Sequence, residues 1–200
     1  MKRIILGIAL IITITTACNN GNSNNSGKDR SKNDSSNDYN SSLKKGGATN
    51  STDSKVDGSM KEMVTQYLKI KNALTNDNGK DAASAGNAFV ESMAKMDKTV
   101  LTAEKKKVWD DISDDAKEMA EHIGKNADKI EHQREHFDML SKDMYDLVKS
   151  FGARQTLYSD SCPMYNGKKG ASWLSETKEI KNPYLGKKMP TCGIVKEEIK

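Results

Sequence analysis

From Ser59 to Gly152 the chain contains no proline, and its large apolar residues return at helical intervals. A stretch with that rhythm buries its apolar side by packing helix on helix. Met63, Tyr67, Ile70 and Leu74 lie on one helical face, and Thr75-Asn76-Asp77-Asn78-Gly79 breaks the pattern. Ala82, Ala85, Phe89, Met93 and Met96 mark a second helix, followed by a break over residues 97–102 in which Thr102 is a suitable N-cap. Val108, Ile112, Ala116, Met119 and Ile123 define a third stripe with Trp109 at its edge, ending near Gly124-Lys125-Asn126. Ile130, Phe137, Leu140, Met144, Leu147, Val148 and Phe151 form the fourth and clearest stripe, with Asn126 or Asp128 as its cap. The expected class is all-α: an up-down four-helix bundle over 59–152, or two helical hairpins packed less regularly. Met63, Met93, Met96, Met119 and Met144 read as core fillers.

The residues before this region differ in kind. Met1-Lys2-Arg3, the apolar run Ile4 to Ile14 and the small residues before Cys18 have the layout of a secretory signal, too short for a membrane span. A cysteine at the cleavage position resembles a bacterial lipoprotein signal, with Cys18 as the lipidated residue, although Thr15 replaces the usual leucine. Residues 1–18 are therefore expected to be a signal peptide and 19–58 a tether. That tether is rich in Asn, Ser, Gly, Asp and Lys and short of the apolar surface that would offset chain entropy. The expected location is the cell envelope, lipid-anchored and facing the periplasm, in the inner or outer membrane. Hydrophobic residues make up 35% of the chain and net charge is +4, dispersed along it, so neither a large core nor a nucleic-acid surface is indicated.

Residues 153–200 hold all three prolines and most of the distinctive chemistry. Cys162 and Met164 stand at one end of this segment, Met189 and Cys192 at the other. An irregular tail packed on the bundle is expected, pinned by Trp173 and Tyr184. Three readings of the cysteines remain open. A disulfide would close a loop spanning 30 residues, worth ~3–4 kcal/mol in the chain-entropy view. Free thiolates would join Met164 and Met189 in a soft donor set that suits Cu(I). A redox pair is the third reading, although no Cys-x-x-Cys is present.

A second cluster lies on the polar side of the fourth helix, where His132, His136, Met139 and Asp143 share a face. Histidines at i and i+4 can chelate one ion; two surface histidines among charged neighbours is the simpler alternative. His122, near a helix end, reads as solvated or as a charge at the helix C-terminus.

Several segments together resemble a bacterial domain of unknown function numbered 3347. They are Tyr67 to Leu74, His132-Gln133-Arg134-Glu135-His136-Phe137, Cys162-Pro163-Met164, Gly170 to Ser175 and Asn182-Pro183-Tyr184-Leu185-Gly186, with Met189 and Cys192-Gly193. The likeness covers about residues 60 to 195. It implies a stand-alone lipoprotein or an extra domain on periplasmic adaptors of copper/silver-type efflux pumps, hence metal handling outside the cytoplasm. The expectation is a lipoprotein that binds soft metal ions such as copper, as Cu(I), and assists metal handling or efflux beside a heavy-metal efflux adaptor. Its candidate ligands are Cys162, Met164, Met189 and Cys192, with His132 and His136 as a second set. The alternative is a non-enzymatic interaction or structural lipoprotein with a Cys162–Cys192 disulfide. No catalytic constellation stands out, so an enzyme is not expected.

Overall fold

A computed structural model describes residues 51–200; the expected signal peptide, Cys18 and most of the expected tether lie outside them. Four long helices come first: α1 (Ser51–Thr75), α2 (Gly79–Met93), α3 (Ala103–Lys125) and α4 (Ile130–Phe151). Each packs on its neighbour in sequence, and α4 also returns to α1. The first helix starts eight residues before Ser59, and Val56 is already in the core, so residues 51–58 are helix and not tether.

The caps follow local chemistry. Asn78 opens α2 by accepting the backbone N–H of Asp81, and Thr102 opens α3 by accepting that of Lys105. Neither Asn126 nor Asp128 caps α4; Lys129 occupies that position without a side-chain bond. The helix ends instead at Gly152, whose φ of 91° suits glycine.

In α3 the buried line differs from the expected stripe. Trp109, Ser113, Ala116, Ala120 and Ile123 face the core, while Val108, Ile112 and Met119 flank it. Trp109 is large enough to set the rotation of the helix, meeting the Phe151 ring edge-on at 6.4 Å. Small residues at three of the other buried positions, Ser113, Ala116 and Ala120, let the neighbouring helices approach. Met119 therefore leaves the core line and turns toward α4.

The tail is not irregular throughout. Strands β1 (Leu157–Cys162), β2 (Ala171–Ser175) and β3 (Ile194–Ile199) form an antiparallel sheet in the order β2-β1-β3, with an irregularity between Ser159 and Asp160. The protein is thus mostly helical with a small sheet, because strands of five or six residues pair with one another as soon as they lie against an apolar helix face. Trp173 and Tyr184 are both buried, as expected of anchors: Tyr184 sits 5.8 Å from the Trp173 ring and 5.7 Å from Phe137 of α4.

Polar anchors complete the junction between sheet and helices. The Tyr67 hydroxyl accepts the Leu174 N–H at 3.0 Å and lies 2.8 Å from Ser141 Oγ. Wholly buried Lys71 donates to Glu176 at 2.7 Å. Arg134, also buried, donates to the carbonyls of Pro183 and Leu74 and to Asp77, fastening the 182–186 turn against the α1–α2 turn. Asn182 accepts the N–H groups of Tyr184 and Leu185 and donates to the Cys192 carbonyl.

Candidate metal centre

His122 lies near the end of α3, and His132 stands in the first turn of α4. The intervening turn folds the helices back on each other, so positions equally distant from it come together. His136 follows one helical turn after His132. One nitrogen from each of the three rings falls within 4.8 Å of the other two, the one such His, Cys or carboxylate group among the described residues. The rings of His122 and His136 stack at 4.3 Å, and His132 stands edge-on to His136 at 4.4 Å.

Hydrogen bonding orients these rings. His132 Nδ1 lies 3.4 Å from a Glu135 oxygen, and His136 Nδ1 lies 3.2 Å from the Met119 sulfur. Both neighbours are acceptors, so each favours a hydrogen on Nδ1 and leaves the lone pair on Nε2. The two Nε2 atoms face one another at 3.1 Å. Two lone pairs at that distance repel; a proton or a metal ion between them relieves the repulsion. His122 Nε2 lies 3.7 Å from a Glu118 oxygen, a longer contact that sets a negative charge beside the ring.

Electrostatics favours a neutral His136. Burial lowers the pKa of His136, and nearby His122 and His132 lower it further, outweighing Glu135 and Glu118. A neutral imidazole is the form that binds a metal. All three histidines are only partly buried, which leaves an entry path.

Buried Gln133 holds the cluster from beneath, donating to the carbonyls of Ile123 and Gly79. Within His132-Gln133-Arg134-Glu135-His136, the outer histidines face the partly open side while Gln133 and Arg134 point into the protein.

The other expected ligands divide. His132 and His136 do come together, and His122, expected to be solvated, joins them. Its symmetry with His132 about the α3–α4 turn was the available signal. Cys162 and Cys192 are both free, and their thiols are in contact. Met164 and Met189 approach Cys192 through backbone atoms: the Met164 N–H reaches its sulfur, and the Met189 carbonyl accepts its N–H at 3.2 Å. Their side chains lie at the surface, 49% and 43% exposed. Met139 is likewise exposed. Asp143 is partly buried, and its carboxyl is pushed up to about 6 by burial and by Asp115 and Asp146.

No curated protein and no solved structure matches the chain. A family model described as "Protein of unknown function (DUF3347)" matches residues 63–156. That span contains α2, α3, α4 and most of α1, with all three histidines and Met119, and stops just before β1. Residues 63–156 thus carry the match to the DUF3347 family of proteins of unknown function, the family whose motifs the sequence resembles.

Proposed function

We propose that this protein binds a soft or borderline metal ion, copper in the leading reading, at His122, His132 and His136. The observation that carries the reading is the pair of Nε2 atoms facing each other at 3.1 Å, with a third imidazole within 4.8 Å. Imidazole suits copper and zinc, and Met119, which meets His136 Nδ1 on the far side of that ring, orients the ring and is not itself a ligand. His122 and His132 sit on separate helices, so binding would tie the end of α3 to the start of α4. The four helices are read as an up-down bundle that supplies a rigid base for those ligands.

The same reading makes the chain an envelope lipoprotein anchored through Cys18 and facing the periplasm. There it would buffer metal or pass it to an efflux adaptor, acting as a binder and not as a catalyst. None of the helices among the described residues is long and apolar enough to cross a membrane. Attachment would therefore fall to the lipid.

The test is anaerobic titration of the reduced protein with Cu(I), Ag(I) and Zn(II) against the triple variant H122A/H132A/H136A. Uptake of one ion that the triple variant loses supports the reading. Equal uptake by both proteins, or uptake by neither, overturns it.

A further inference from the structure

The metal reading leaves Cys162 and Cys192 unused. Cys162 ends the central strand β1 and is wholly buried; Cys192 is half-buried, just before β3. Pairing of Ser161 with Ile194 brings Gly193 opposite Cys162 and sets Cys192 diagonally across from it. The approach is close because residue 193 has no side chain. A Cβ there would stand 2.9 Å from the Trp173 ring and 3.1 Å from the Ser161 carbonyl oxygen, and φ is 147°. The loop is also held from behind, since Asn182 binds the Cys192 carbonyl at 2.7 Å and the Pro190 carbonyl accepts the Asn182 N–H at 2.8 Å.

The polar contacts of the Cys192 sulfur are the Cys162 thiol and the Met164 N–H. That environment fits a sulfur–sulfur bond better than a four-sulfur metal site, because Met164 and Met189 carry their side chains to the surface.

We propose that Cys162 and Cys192 are an oxidisable pair that closes to a disulfide in a set order, with Cys192 exchanging with outside thiols and Cys162 resolving. Cys192 thiolate attacks one sulfur of a small disulfide such as oxidised glutathione, and one glutathione thiolate leaves. The Cys162 thiol then loses its proton to solvent and attacks Cys192 sulfur, releasing the second glutathione. The protein loses two protons and two electrons, and one oxidised glutathione becomes two reduced ones. The bond links the central strand to the start of the third and fastens the 186–193 loop. The neighbouring Cys162 thiol, and after it burial, hold the Cys192 thiol above its ordinary pKa, so exchange is slow at neutral pH, as a structural bond requires.

The test incubates the full chain, under chelator so that no metal takes part, with oxidised glutathione. Peptide mapping after alkylation then follows each cysteine and keeps Cys18 apart from the other two. The expected product is a peptide pair joined through Cys162 and Cys192, with a melting temperature that falls on adding reductant. C162S, still folded by circular dichroism, should carry one glutathione on Cys192, and folded C192S should leave Cys162 unmodified. Free thiols at both positions after equilibration overturn the proposal, as does glutathione on Cys162 in folded C192S. Should either serine variant unfold, alkylation rates of the two thiols in the folded unsubstituted protein decide: Cys192 reacting first supports the order, and Cys162 reacting first overturns it. Metal titration of oxidised protein reports on the histidines alone, so failure of one reading does not imply failure of the other.

Discussion

Gln133 Nε2 stands 3.0 Å from the carbonyl oxygen of Ile123 and 2.9 Å from that of Gly79. A single buried amide therefore joins the start of α4 to the end of α3 and the start of α2, directly beneath the histidines. Gln133→Leu removes both bonds, although the Ile123 carbonyl still accepts the Asn126 N–H. A loss of about 1–3 kcal/mol in unfolding free energy is expected, read by urea denaturation. Metal affinity should fall about tenfold or more, although Gln133 lies on the buried face of α4.

The histidines should act as a unit. His122→Ala, His132→Ala and His136→Ala are each expected to weaken metal binding by more than about tenfold, while Met139→Leu leaves it unchanged. Competitive titration against a chromophoric chelator reads this. A histidine whose loss has no effect does not belong to the site.

Acid should release the metal, because protons compete for the imidazole lone pairs. His136 also gives the metal-free protein a pH dependence. Its folded pKa lies below its ordinary value, so the unfolded chain takes up its proton first and stability falls as pH drops below about 6.5. His136→Gln should flatten that acid-side slope in denaturation curves.

Asp160 works in the opposite direction. Both of its carboxylate oxygens are buried without a hydrogen-bond partner, and burial pushes its pKa up to about 7, with Lys71 opposing and Glu176 reinforcing the shift. The folded state holds the proton more tightly than the unfolded one. Stability contributed by protonated Asp160 is therefore lost as pH rises from its ordinary value of 3.8 through about 7. Asp160→Asn, which cannot ionise, should be less sensitive to pH over that window in urea unfolding.

The Lys71–Glu176 pair predicts unequal effects of its two partners. Lys71 is wholly enclosed, whereas the Glu176 side chain is 33% exposed. Glu176→Ala strands a buried ammonium and should cost about 3 kcal/mol, while Lys71→Met returns the carboxylate to partial contact with water and should cost less than half of that. Equal losses would mean that the ion pair is not the source of the effect.

Four helices could be read from the chain because each buried face repeats within its own segment, and the Thr102 cap because its partner, the Lys105 N–H, lies three residues on. Two features escaped. The rotation of α3 depends on where Trp109 finds room, which its neighbours in space decide, and that rotation turned Met119 from an expected core residue into the neighbour of His136. The β-sheet escaped because strands of five or six residues carry little alternation of their own and depend on pairing partners more than thirty residues away for β3.

Order along the chain by itself determined the helical segments, the breaks between them, and the presence of paired histidines and cysteines, since these rest on contacts within a few residues. Only the tertiary structure decided that His122 joins His132 and His136, that Cys162 meets Cys192 while Met164 and Met189 turn outward, and that Asp160 is enclosed. The reason is physical: the helical repeat sets which way a side chain points from its own axis, but what it meets there depends on how the axes pack, and packing is settled by the shapes of residues far away in sequence.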